Sequence, residues 1–290
     1  MILNNFKKYS PLTDSDNTLL KTCGEILKKE RGICFFAHQD DETLGAFSFL
    51  NSFKNHIKKI IYITNGAENN DLNTAKTRKN EAINALKTMD FDLEKIEFWD
   101  LYSLDYPVTY HKCVDKTIDI IKIHNPDFIL THDYDGGHPD HDWAFASVSL
   151  ACNYLKRRDI PLYSFAEYNI RKKLNSDSNM YNTNIDSVTS HNKILLKNYQ
   201  KKEKIISHNI FREMYTKKIE TLKNFKTQMT DVSYFEPWIN EGYYHYDEIP
   251  LPQMLCSPPS DTILFYEFVK VLQFGEFKKE LTKNILRLKL

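Results

Sequence analysis

Between Gly32 and Asn169 the chain alternates short, continuous apolar runs with segments of helical spacing, and this alternation restricts the fold more than any other feature. "GICFFAH" (Gly32 to His38) is apolar at consecutive positions, the pattern of a strand buried on both faces, as in parallel sheets covered by helices. "DETLGAFSFLNSFK" then has helical spacing with acids in its first turn, and "IKKIIYITNG" reads as a second strand closed by Asn-Gly. A helix over Thr74–Met89, a strand at "KIEFWDL" and a helix at "KCVDKTIDIIKIH" follow, the last stopped by Asn125-Pro126. "DFILTHD" is a fourth strand, "HDWAFASVSLACNYLKRR" a fourth helix and "PLYSFAEYN" a fifth strand. The order predicts an α/β fold: a Rossmann-like, doubly wound, mostly parallel sheet with helices on both faces.

The pattern breaks after about Leu174. Residues 1–174 read as an α/β core, and 175–290 as a polar loop and a helical and aromatic C-terminal extension that completes or caps the same domain. The loop, 175–192, is rich in Asn, Ser and Asp and lacks periodicity. Helical spacing returns from Asn192 to about Gln228, an aromatic stretch runs from Tyr234 to Tyr246, and a last amphipathic helix ends the chain. The aromatic stretch offers rings for stacking on a ligand, although a run this apolar is more often packing.

Open α/β sheets bind ligands at the carboxyl ends of their strands. Two polar clusters fall there. His38 ends the first strand, and Asp40 and Asp41 open the next helix; "THDYDGGHPDHDW" follows the fourth strand. Pro139 suits an early helical position, so His138 and His141, three apart, share one face of a first turn. His38, Asp41 and His141 together offer two imidazoles and one carboxylate, a set suited to Zn²⁺ with a fourth position open to water, whereas Mg²⁺ favours oxygen ligands. Helix N-termini also disfavour protonated imidazole. Each cluster alone has a plainer explanation, a helix cap for Asp40-Asp41 and a polar turn for "HPDH". A cap, however, requires neither a second acid nor a preceding histidine. His132, His111 and His124 read as ordinary surface or core histidines.

"AHQDDETLG" and "HPDH" resemble the two signatures of the LmbE-like, or PIG-L, metal-dependent de-N-acetylases. The resemblance extends over roughly Gly32 to Glu167, takes in Arg78 and Glu81 of "RKNE", and has a weaker echo in "KKIETLKNFKTQ". It implies removal of acetyl from N-acetylglucosamine conjugates, with His38, Asp41 and His141 as zinc ligands. It also implies Asp40 as general base, His138 as the group that stabilises the tetrahedral intermediate and can protonate the leaving amine, and Asp140 as the residue orienting His138. Gln39 stands where the family usually has proline, and the oxyanion donor of some members has no clear counterpart; Tyr134 or the C-terminal region are the substitutes. Arg78 reads either as a contact to the substrate or as a bridge to Glu81.

The competing function classes are a Mg²⁺-dependent phosphoester hydrolase, a nucleotide-binding α/β protein and a carbohydrate-binding protein without turnover. No GxGxxG or Walker A loop follows the first strand. Lys+Arg and Asp+Glu balance at 39 each, which provides no net field for nucleic acid. Five scattered cysteines without CxxC spacing argue for a reducing, cytoplasmic setting and against a cysteine zinc site. The N-terminus lacks a signal-peptide pattern and no apolar run has membrane-spanning length, which leaves room for peripheral membrane contact. The sequence is silent on oligomeric state.

Overall fold

The computed structural model describes residues 31–67, 71–104, 106–134, 136–167, 206–208, 212–228, 241–246, 249 and 272–290. The strands are β1 (Gly32–Phe36), β2 (Ile57–Thr64), β3 (Ile96–Leu101), β4 (Phe128–His132), β5 (Leu162–Ala166), β6 (Ile206–His208) and β7 (Glu241–Tyr246). The helices are α1 (Asp41–Leu44), α2 (Phe47–Phe53), α3 (Leu72–Thr88), α4 (Tyr106–His124), α5 (Pro139–Tyr154), α6 (Arg212–Leu222) and α7 (Phe274–Leu288). The sheet order is β3-β2-β1-β4-β5-β7-β6. The first five strands are parallel, and β7 and β6 extend the sheet antiparallel beyond β5.

The alternation of side chains along each strand builds two apolar layers. Ile33 and Phe35 of β1 face a layer that includes Val114, Phe145 and Leu281, from α4, α5 and α7. Cys34 and Phe36 face the other, with Phe49, Leu86 and Leu222 from α2, α3 and α6. Both faces are therefore covered, which is why β1 and β4 are buried at every position. The chain runs β1-β2-β3 towards one edge and then crosses to place β4 on the free side of β1. The crevice between β1 and β4 is the topological switch point, where such sheets bind ligands.

Four local differences from the sequence expectation have physical causes. The first helix is split at Gly45 and Ala46, where the backbone passes so close to β5 that a side chain at Gly45 would come within 2.4 Å of Phe165 Cδ2 and 2.7 Å of Glu167 Oε1. α4 starts at Tyr106, six positions before the expected Lys112, and the added turn brings Tyr110 onto the Trp143 indole at 3.7 Å between centroids. β6 lies where helical spacing was read, since pairing with β7 overrides the local pattern. Part of the aromatic stretch is strand β7. The polar loop 175–192 lies outside the described residues. Among the described residues no helix is long and apolar enough to cross a membrane.

Gly45→Ala should cost about 1–3 kcal/mol by overpacking against β5. Chemical denaturation checks this; an unchanged midpoint would show that Phe165 and Glu167 move aside freely.

Candidate metal centre

The first cluster is built by the turn from β1 into α1. Asp40 occupies the N-cap position, but its side chain makes no cap hydrogen bond; its backbone carbonyl instead accepts the N–H groups of Thr43 and Leu44. The helix-cap explanation therefore does not account for the carboxylate. Asp41 turns back on the strand end, where its Oδ2 accepts the His38 N–H at 2.6 Å. The second cluster comes from the β4–α5 connection. Gly136 has φ 75°, a left-handed conformation natural to glycine, and donates its N–H to Asp142 Oδ1 at 3.1 Å. That turn delivers His138 as N-cap of α5, with Pro139 in the first turn as expected and His141 behind it.

The two clusters converge. His38 Nδ1 lies 3.2 Å from His141 Nε2, His141 Nε2 lies 3.4 Å from Asp41 Oδ1, and His38 Nδ1 lies 3.7 Å from Asp41 Oδ2. Ligands about 2.0–2.1 Å from a tetrahedral ion are separated by about 3.3–3.4 Å, close to these distances, with Asp41 meeting His141 through Oδ1 and His38 through Oδ2. Two overlapping groups have ligand atoms within 4.8 Å of one another: His38, His138 and His141, and Asp41, His132 and His141.

Their charge states fit a cation. Burial drives His141 well below the usual histidine range and His138 down to about 4, and it lowers His132 also, so all three imidazoles are neutral at pH 7. Burial alone would raise Asp41, but His141, His132 and His38 outweigh it and hold the carboxyl well below the usual range. His38 is the exception: burial lowers it, yet Asp41 and Asp140 together raise it to about 10. An ion held there would take the place of that proton, since ligand imidazoles bind deprotonated.

His132 was not singled out by the sequence. It is 1% exposed, its ring stacks on His141 at 3.9 Å, and its Nε2 accepts the Ala37 N–H at 3.0 Å while lying 3.0 Å from Asp41 Oδ2. His132 Nε2 thus stands between a backbone N–H and the Asp41 carboxylate at the edge of the cluster. The available signal was positional: His132 ends β4 at the same sheet edge where His38 follows β1.

The remaining candidates surround this centre. Burial, then Asp41, raises Asp40 to about 7, opposed by His38 and the Arg78 guanidinium. Arg78 donates from Nη1 to the Gly66 carbonyl. Glu81 does not bridge to it; its carboxylate accepts the Thr227 N–H at 2.9 Å and hydroxyl at 2.5 Å. Residue 140 serves two histidines. Its N–H donates to His138 Nδ1 at 3.2 Å, while its carboxylate lies 3.1 Å from His38 Nε2. Gln39, in the family's proline position, donates to the Thr64 carbonyl at 2.6 Å, and Gln228 donates to the Gln39 carbonyl at 2.6 Å. Tyr134 packs against Phe145 and Phe277 in the core, which removes it as oxyanion donor.

The α/β fold carries a possible His/Asp metal site at its switch point. The family model described as PIG-L, GlcNAc-PI de-N-acetylase, matches residues 33–152. Residues 33–152 thus resemble the PIG-L/LmbE-like family of de-N-acetylases, which are amide hydrolases. Solved structures share the fold at low identity. Teicoplanin deacetylase Orf2 in a zinc-inhibited form is 14% identical, covering 74% of this chain and 97% of that one at TM-score 0.51. The A40926 pseudoaglycone deacetylase Dbv21 is 16% identical, covering 77% and 99% at TM-score 0.52. N,N'-diacetylchitobiose deacetylase from Pyrococcus horikoshii is 13% identical, covering 87% and 98% at TM-score 0.46. No curated protein sequence matches the chain.

Replacing His38, Asp41 or His141 by Ala should lower bound divalent metal well below stoichiometric, as each change removes one of few ligands. Elemental analysis of the purified variants decides; full retention in all three contradicts the assignment.

Proposed function

We propose that the protein is a zinc-dependent hydrolase that removes the acetyl group from an N-acetylated amino-sugar conjugate. The observation that carries this reading is the convergence of His38, Asp41 and His141, with His141 neutral and Asp41 ionised, at the switch point of the sheet. Two imidazoles with a carboxylate favour zinc over the all-oxygen shell that Mg²⁺ prefers, which sets the phosphoester hydrolase reading behind the deacetylase.

Held by His38, Asp41 and His141, zinc supplies Lewis-acid chemistry, polarising the amide carbonyl and lowering the pKa of water towards about 7. Asp40 takes the proton of the attacking water; burial beside Asp41 raises its carboxyl towards neutrality, where a general base is most effective. His138 accepts the Asp140 N–H at Nδ1, so in its neutral form the proton resides on Nε2. That Nε2–H is the donor to the oxyanion of the tetrahedral intermediate. The proton on Asp40 then serves the leaving amine, leaving acetate and a free amino sugar. Arg78, beside Asp40 and fixed to Gly66, is placed to hydrogen-bond the sugar.

Acetate release across a panel of free, nucleotide-linked and lipid-linked N-acetyl sugars tests the proposal; activity towards phosphoesters alone would overturn it. Asp40→Asn should keep zinc but lose about 10²-fold or more in turnover, because an amide cannot accept the proton. Unchanged activity with metal bound would reduce Asp40 to a structural residue. The wild-type profile of kcat/KM should fall on the acid side with an apparent pKa at or below about 7, as Asp40 becomes protonated and a bound cation can only lower that value. Activity that stays flat to about pH 4 would rule Asp40 out as the base.

A further inference from the structure

Asp140 is almost wholly buried, and besides His38 its donors come from a part of the chain that neither signature motif contains. Ser103 Oγ donates to Asp140 Oδ2 at 2.7 Å, and the Leu104 N–H points at both carboxylate oxygens, 3.3 and 3.4 Å away. The same Oδ2 lies 3.1 Å from His38 Nε2. Ser103 and Leu104 form the turn after β3. Leu104 has φ 58°, a left-handed conformation uncommon for a residue with a side chain, and Thr109 Oγ1 on α4 donates to the Tyr102 carbonyl at 3.0 Å. Such strain persists where the surroundings over-determine it and clusters at functional sites.

We propose that Ser103 is a positioning residue for the metal centre: through Asp140 it fixes the proton of His38 on Nε2 and leaves the Nδ1 lone pair facing His141 and Asp41. The proposal rests on the reading that His38 binds the metal. A histidine ligates only through its unprotonated nitrogen, and the partner of the other nitrogen decides which one that is. The carboxylate of Asp140 is that partner here. Its Oδ2 accepts both Ser103 and His38, and the Ser103 bond, short and to a charged acceptor, is the stronger anchor. Without Ser103 only the long Leu104 contacts restrain the carboxylate, and His38 loses its fixed tautomer and ring orientation. The sequence expectation gave Asp140 to His138. In the structure His138 takes the backbone N–H of residue 140, which leaves the carboxylate to His38.

The test measures zinc affinity by chelator competition, together with thermal melting of the metal-free protein, for wild type, Ser103→Ala, Ser103→Thr and His141→Ala. Ser103→Ala should weaken zinc binding about 10-fold or more while melting near wild type without metal, and Ser103→Thr, which keeps the hydroxyl, should recover most of the affinity. Wild-type affinity in Ser103→Ala alongside a large loss in His141→Ala would overturn this inference and leave the metal site standing. Wild-type affinity in His141→Ala would remove the metal site itself. A Ser103→Ala variant that melts early without metal, and whose zinc affinity Ser103→Thr does not restore, would make Ser103 a folding residue only and overturn the proposal.

Discussion

The centre depends on one buried carboxylate. Asp41 is 2% exposed, ionised, and ringed by the nitrogens of His38, His132 and His141. An isolated charge in such a place would cost several kcal/mol of desolvation and would recover its proton instead. Here the His38 N–H at 2.6 Å and the surrounding rings of His141, His132 and His38 keep it charged. The arrangement is therefore best satisfied by a cation that joins the carboxylate to the rings. The roles assigned to Asp40, His138 and Asp140 all follow from where that cation would sit.

The scaffold holds these groups from several directions. β1 and β4 deliver His38 and His132 to the same edge, and α5 returns His141 and Asp140 into the crevice between them. The segment that follows the core then braces the first turn. Lys218 on α6 donates to the Leu44 carbonyl at 2.8 Å, at the open end of α1, where a cation suits the helix dipole. Gln228 reaches the Gln39 carbonyl and Thr227 engages Glu81 on α3. The segment "KKIETLKNFKTQ" thus corresponds to a physical brace on the acid-bearing turn.

Much of this was legible in the sequence, for reasons that can be named. Consecutive apolar residues in "GICFFAH" and "DFILTHD" report strands buried on both faces, so the five parallel strands and their flanking helices follow from local pattern. His38, Asp41 and His141 were legible because each sits in a compact motif at a strand end. The missing parts depend on approaches between distant segments. Nothing local marks Gly45 as the point where β5 presses on a helix, and β6 is a strand only because β7 lies beside it. His132 differs from His111 only in where its ring ends up, one against His141 and the other against Asn284 of α7. Ser103 lies 37 residues from the carboxylate it holds.

The central claim is that a zinc ion is bound by imidazole and carboxylate in this crevice. Zinc-edge X-ray absorption on the purified wild-type protein tests it most directly. The account predicts a four- or five-coordinate shell of nitrogen and oxygen at about 2.0–2.1 Å, with outer-shell scattering from imidazole rings and no sulfur at about 2.3 Å. A six-coordinate shell of oxygen alone, or sulfur ligation, would contradict it.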